Sequence, residues 1–224
     1  MIRRKCPFPA KQLVIPALLI GYGVTAIENN GLKNLNDEVK EELVLENPHR
    51  GIHIDNYLQF TPAVAVYSLN MAGIKGAHNL VDRSAIYLLS NIIVNSSVSG
   101  IKKYSHQARP DGSGYSSFPS GHTAEAFASA EFLRQEYKNV SVWYGIAGYA
   151  VAATTGYLRM YNNKHWMSDV IAGAGVGIAS TKIAYWLYPK IKHVLFKEKL
   201  RNTCIIPTYQ NKFAGFVLIH NFSK

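Results

Sequence analysis

The sequence predicts an all-α protein, a six-helix bundle that crosses a membrane. Two observations carry this. Six stretches are apolar and nearly free of charge: 12–27, 56–74, 84–101, 114–133, 139–158 and 170–189. About 20 such residues, wound as a helix, span a hydrocarbon core roughly 30 Å thick. The second observation is the placement of positive charge between them. If the stretches alternate across a bilayer, one side collects Arg3, Arg4, Lys5 and Lys11, then Lys75 and Arg83, then Arg134 and Lys138, then Lys190, Lys192, Lys197, Lys199 and Arg201. Such a cationic excess marks the cytoplasmic side. The other side, with Lys33, Lys40 and Arg50 in a long acidic loop, then faces away from the cytoplasm.

The mean hydropathy of -0.04 is low for a polytopic membrane protein. A soluble bundle of buried helices would read similarly. The even spread of lysine and arginine over four separate connections on one side favours the membrane reading.

Residues 12–27 follow a basic start and are charge-free. They read as a first membrane helix or as a secretory signal whose small residues Val24-Thr25-Ala26 form a cleavage site. Residues 28–55 hold seven of the fourteen acidic residues. Leu32, Leu35, Val39 and Leu43 recur there at helical spacing, which predicts an amphipathic helix in an extracytoplasmic loop, capped by Asn34 or Asn36. The 114–133 stretch is the poorest membrane candidate, because it holds His122, Glu125 and Glu131. Beyond residue 201 the chain reads as a separate tail, 202–224, in which Asn211 to Gly215 is suited to turning a short β hairpin.

Lysine and arginine total 24 against 14 aspartate and glutamate, a formal charge of +10. This suits an anionic membrane surface or a phosphorylated substrate. Nucleic acid is the weakest of the anionic partners, since no dense basic run or recognition motif is present. Cys6 and Cys204, the two cysteines, supply neither a disulfide framework nor a zinc spacing.

The chemistry-bearing residues lie in two groups. Lys102, Arg109-Pro110 and Pro119-Ser120-Gly121-His122 form the first; Arg159, His165 and Asp169 form the second. Each cation sits at the end of an apolar stretch, where a snorkelling side chain is the ordinary reading. Three on one side suit the oxygens of a tetrahedral anion. Pro119 to His122 reads as a turn into a helix, with Ser120 as its cap and free N–H groups that attract an anion. His165 and Asp169, four apart, share a helix face, so the carboxylate can fix the tautomer that leaves the other ring nitrogen free to attack. Glu125, three residues after His122, is placed to hold a proton on that imidazole if the two side chains meet.

Taken together, Lys102-x6-Arg109-Pro110, Pro119-Ser120-Gly121-His122 and Arg159-x5-His165-x3-Asp169 resemble the tripartite signature of the type 2 phosphatidic acid phosphatase (PAP2) family. Its wider superfamily includes bacterial class A acid phosphatases and vanadium haloperoxidases. The resemblance implies a PAP2/haloperoxidase-like core over residues 1–201. It implies that His165 attacks phosphorus and forms a phosphohistidine, and that Asp169 orients His165. Lys102, Arg109, Arg159, Ser120 and the N–H of Gly121 would hold the oxygens, and His122 would protonate the leaving alcohol and then activate water. It implies no metal and no cofactor. Leu158 departs from the pattern, which often has serine before the arginine.

The expected function is hydrolysis of a lipid phosphate monoester or diphosphate, such as phosphatidic acid, phosphatidylglycerophosphate, polyprenyl diphosphate or a lipid A phosphate. The expected place is a bacterial-type inner membrane, with the site facing the periplasm. The competing readings are a periplasmic soluble acid phosphatase released by signal cleavage, a vanadate-dependent haloperoxidase, and a non-catalytic lipid-binding membrane protein.

Overall fold

Helices dominate a computed structural model that describes residues 8, 10–195, 203–210 and 213–220. In order these are α1 (Ala10–Glu28), α2 (Asn30–Lys40) running into a π-helical turn (Glu41–Leu45), α3 (Asp55–Leu58), α4 (Thr61–Met71), α5 (Leu80–Ser105), α6 (Gly121–Tyr137), α7 (Val142–Tyr161) and α8 (Met167–Leu195). The chain forms two compact units, 1–185 and 186–224. In the second, β1 (Thr203–Gln210) pairs antiparallel with β2 (Phe213–His220), from Thr203 opposite His220 to Gln210 opposite Phe213. Phe213 to Gly215, placed in a turn by the sequence, are therefore strand.

The apolar stretches become helices of unequal kind. Among the described residues three helices are long and apolar enough to cross a membrane: α1, α5 and α8 from Met167 to Val194. The 56–74 stretch breaks into α3 and α4, with Pro62 near the start of α4, where its missing N–H costs nothing. At 11 residues α4 is only about 16 Å long, half a bilayer core.

Central to the first unit is α6, from Thr123 to Tyr137 buried at thirteen positions, and this explains its polar sequence. It is surrounded by protein rather than lipid, so its polar groups can be answered internally. Glu131 accepts from Arg134 at 2.7 and 2.6 Å and from Gln135 at 2.9 Å. Glu136 faces His78 at 2.7 Å and accepts from Tyr185 at 2.7 Å. The helix packs against α8 closely enough that a β-carbon on Gly173 would stand 2.6 Å from the carbonyl oxygen of Ser120. That contact fixes the start of α6 against the start of α8.

Local chemistry sets the helix ends. Asn79 Oδ1 accepts from the N–H of Asp82 at 2.9 Å and opens α5; Ser141 Oγ accepts from Trp143 at 3.3 Å and opens α7. The acidic-loop helix starts at Asn30, two residues before Leu32, the first of its spaced apolar positions. Its cap is Asn29, whose Oδ1 accepts from Leu32 N at 3.2 Å, and neither Asn34 nor Asn36 caps it. Asn36 is buried instead. Its amide donates to Ser168 Oγ and accepts from Ser168 N, both at 3.0 Å. A polar residue at the centre of the inner face thus fastens α2 to the start of α8.

Candidate active site

The C-terminal ends of α5 and α7 and the N-terminal ends of α6 and α8 meet at one end of the bundle, and every predicted site residue except Glu125 gathers there. Lys102, in the last turn of α5, donates to the carbonyl oxygens of Ser116 and Ser117. Arg109 begins a tight turn, its N–H donating to Gly114 O at 2.9 Å, and its guanidinium lies 3.5 Å from Ser116 Oγ. Asp111 in that turn accepts from Lys164 at 2.6 Å, which ties it to the loop between α7 and α8. Burial alone would push the Asp111 carboxyl up. The hydrogen bonds from Lys164 and Ser113 and the lysine charge outweigh it and hold the group well below the usual carboxylate range.

Ser120 precedes α6 and is fully buried. The sequence suggests a capping hydroxyl, but no side-chain cap bond forms. Its Oγ accepts from Thr123 Oγ1 at 2.8 Å, and its N–H donates to Asp169 O at 3.0 Å. The first N–H groups of α6 therefore keep their affinity for an anion.

His165 and Asp169 bracket the start of α8 and are 4% and 1% exposed, so a charge on either depends on its immediate partners. Asp169 Oδ2 accepts from Trp166 N at 2.9 Å and from the hydroxyl of Ser117. His165 Nδ1 lies 3.5 Å from both Asp169 Oδ2 and Ser117 Oγ. That contact is long for a hydrogen bond, and it directs Nδ1–H toward the carboxylate. Nε2 has no hydrogen-bond partner among the described residues and carries the lone pair. Burial lowers the His165 pKa to about 4; the Asp169 carboxylate opposes the fall, and the charges of Lys102 and Arg159 assist it. The ring is neutral at pH 7.

Three residues that spacing did not reveal complete the arrangement. Ser117 is one. The others, Asp55 and Asn56, come from the start of α3, at the end of the acidic loop. Asp55, fully buried, accepts from Arg159 Nη1 at 2.6 Å. Asn56 Oδ1 accepts from His122 Nε2 at 2.8 Å, which places the proton of His122 on Nε2. The only available hint was a carboxylate standing immediately before a charge-free stretch. Arg159 keeps one buried donor, Nε, without a protein partner. Burial lowers the pKa of His122; the charges of Arg159, Lys102 and Arg109 add to the fall, and Asp55 opposes it.

Glu125 does not join them. It is buried on the face of α6 turned to α5, where Tyr87 donates to its Oε1 at 3.1 Å. Three residues along a helix bring side chains to neighbouring rather than identical directions, and here the two diverge to different partners. No ion pair forms between Glu125 and His122.

The Asp55–Arg159 pair gives a direct prediction. Truncating one partner of a buried ion pair strands the other charge and costs about 3–5 kcal/mol. Asp55→Ala should lower the melting temperature and weaken phosphate binding together, while Asp55→Glu recovers part of both. A variant with unchanged melting would contradict the buried pairing.

The fold and site define a class: a helical membrane protein that presents, at one end of its bundle, a cation-rich cradle with free helix amides facing a neutral, carboxylate-backed histidine. Residues 83–193 match the PAP2 superfamily, and the chain belongs to it. All three sequence pieces fall inside the matched region. The chain is 37% identical over 155 residues to a Lipid A 1-phosphatase of Porphyromonas gingivalis, a match covering 69% of this chain and 35% of that protein. The chain therefore spans about a third of that relative's length. Its fold is similar to the crystal structure of Aquifex aeolicus LpxE, with a TM-score of 0.51 and 22% identity over 67% of this chain and 94% of the other. It is also similar to a transmembrane PAP2 type phosphatidylglycerolphosphate phosphatase from Bacillus subtilis, with a TM-score of 0.53 and 19% identity over 79% of this chain and 97% of the other.

Proposed function

We propose that the chain hydrolyses a lipid phosphate monoester or diphosphate through a phosphohistidine on His165. The observation that carries this is the pairing of a neutral, buried His165 with Nε2 unoccupied and a cradle of Lys102, Arg109 and Arg159 beside it. The substrate phosphate sits among those cations, the Ser120 hydroxyl and the N–H of Gly121. The Nε2 lone pair attacks phosphorus as the P–O bond to the lipid breaks. His122, protonated, gives its proton to the departing oxygen. Asp169 balances the positive charge that forms on the His165 ring. Water then attacks the phosphohistidine, His122 takes a proton from it, and the N–P bond breaks to release phosphate. The fixed cations and N–H groups stabilise the charge on the equatorial oxygens, so the cycle as drawn calls on no metal.

The relative that acts on lipid A makes a lipid A phosphate the first substrate to test, beside phosphatidylglycerophosphate, phosphatidic acid and polyprenyl diphosphate. The apolar helices α1, α5 and α8 support the membrane setting, and Lys75, Arg83, Arg134 and Lys138 on the connections at the other end of the bundle favour the periplasmic face of an inner membrane for the site end. A soluble form released at Val24-Thr25-Ala26 is disfavoured. Those residues lie inside α1, Ala26 is buried, and a β-carbon on Gly23 would stand 2.5 Å from Ala172 of α8. The test is phosphate release from that panel by the detergent-extracted protein; inactivity toward every lipid phosphate would sink the assignment.

A pH prediction follows from His165. The reactive form is neutral, so activity is lost as pH falls through its pKa. Burial places that pKa at about 4 rather than at the ordinary histidine value. After correction for the substrate's own phosphate ionisation near about 6, the acid limb of kcat/KM should fall well below pH 6. An acid limb at about 6.5 would show an exposed, unperturbed nucleophile.

A further inference from the structure

A cavity of about 630 Å³ opens at the end of the bundle away from the cradle, between the start of α1, the middle and end of α6, the first half of α7 and the middle of α8. Four cations line it, Lys11, Arg134, Lys138 and Lys182, against one carboxylate, Glu131. Its remaining wall includes Ile15, Phe127 and Ile178.

Glu131 is fully buried and already served from several sides. Arg134 donates to it twice, Lys182 lies 3.0 Å from its Oε1, and Tyr149 donates at 2.5 Å. One carboxylate cannot neutralise two fixed cations, and Lys11 and Lys138 add two more at the rim. Lys138 spends one N–H on Gln135 Oε1, at 2.8 Å, and neither rim lysine touches Glu131. The cavity therefore holds an uncompensated positive charge beside an apolar wall. From Ser120 to Lys138 the chain advances about 27 Å along α6, close to the thickness of a hydrocarbon core. The cavity thus sits near the opposite membrane surface from the cradle.

We propose that this cavity binds the anionic phosphate headgroup of a membrane phospholipid. The lysines and Arg134 hold the phosphate oxygens by charge-assisted hydrogen bonds, and the acyl chains run along Ile15, Phe127 and Ile178. This is a binding site separate from the cradle, and it stands whether or not the phosphatase reading does. Free phosphate offers the same oxygens and lacks the chains, so the apolar wall selects the lipid.

The test is native mass spectrometry of the full detergent-purified chain, titrated with phosphatidylglycerol, with phosphatidylcholine, and with inorganic phosphate. Wild type should retain phosphatidylglycerol in preference to both. The double variant Lys11→Gln, Lys138→Gln removes two exposed rim charges and leaves the Glu131 network in place. It should weaken phosphatidylglycerol by about tenfold or more, the loss expected for two charged hydrogen-bond donors. Lys102→Gln, at the other end of the bundle, should leave this binding intact. The proposal fails if the double variant binds phosphatidylglycerol as wild type does, or if Lys102→Gln abolishes the binding. It fails equally if phosphatidylcholine or inorganic phosphate binds as tightly. Unchanged thermal melting of the double variant separates lost binding from lost folding.

Discussion

Replacing His165 with alanine is expected to abolish turnover, with kcat falling by at least about 10⁴-fold. The side chain is 4% exposed and its removal leaves the cradle of cations standing. Substrate binding should therefore survive while chemistry stops. That separation is diagnostic. A histidine serving only to pack the start of α8 would, when truncated, cost melting temperature first and activity in proportion. The check is phosphate release at saturating substrate, beside a binding measurement with the same lipid. His165→Ala with normal turnover would remove the nucleophile from the account. His165→Ala with normal kcat and raised KM would recast it as a binding residue.

The second large effect belongs to Asp169. Its Oδ2 accepts from Trp166 N at 2.9 Å and from Ser117, and lies 3.5 Å from His165 Nδ1. Asp169→Asn preserves the volume and one acceptor but removes the charge that offsets the cationic phosphohistidine. It also puts an amide N–H where a carboxylate oxygen faced Nδ1–H, which favours the wrong tautomer. The expected loss is about 10³–10⁴-fold in kcat with little change in KM, the scale seen when the orienting carboxylate of a catalytic triad is made neutral. A merely structural Asp169 would give the reverse pattern, with a lower melting temperature and kcat near wild type. Circular dichroism and thermal melting of the same preparation distinguish them.

Much of the site was legible because its chemistry is carried by short internal spacings. Lys102 and Arg109, Ser120 to His122, and His165 with Asp169 lie on helix ends or adjoining turns, where sequence distance translates into spatial distance. Asp55 and Asn56 were not legible for the opposite reason. Asp55 meets Arg159 across 104 positions, and no local pattern specifies which carboxylate an arginine will meet at that range. Ser117 was missed because a serine beside a turn carries no signal until Asp169 is brought against it. Glu125 shows the limit of helical spacing in the other direction. Proximity to His122 along α6 was real, but burial against α5 gave the carboxylate a different partner, Tyr87.

The fold was readable to a similar depth. Long stretches with little or no charge marked α1, α5, α7 and α8 because lipid or core contact demands it along a whole helix. The polar α6 read as a poor membrane segment for a physical reason: enclosed by other helices, it meets its demands with ion pairs and hydrogen bonds instead of apolar side chains. The π-helical turn after Lys40 and the division of 56–74 into α3 and α4 depend on packing that hydropathy does not encode. Asn36 was misread as a cap because asparagine commonly serves there, whereas its amide pairs with both the hydroxyl and the N–H of Ser168.

The most direct test is to catch the phosphoryl group on the enzyme. An aryl phosphate, whose leaving group needs no acid, should be mixed with His122→Ala protein and quenched in alkali, where a phosphohistidine survives. Without the His122 base, breakdown is slow, so the N–P bond should accumulate. One phosphoryl group per chain is expected, located by peptide mass spectrometry on His165 and absent when His165→Ala is added. Phosphate release with no phosphorylated enzyme at any time, or a phosphoryl group found on another residue, would contradict it.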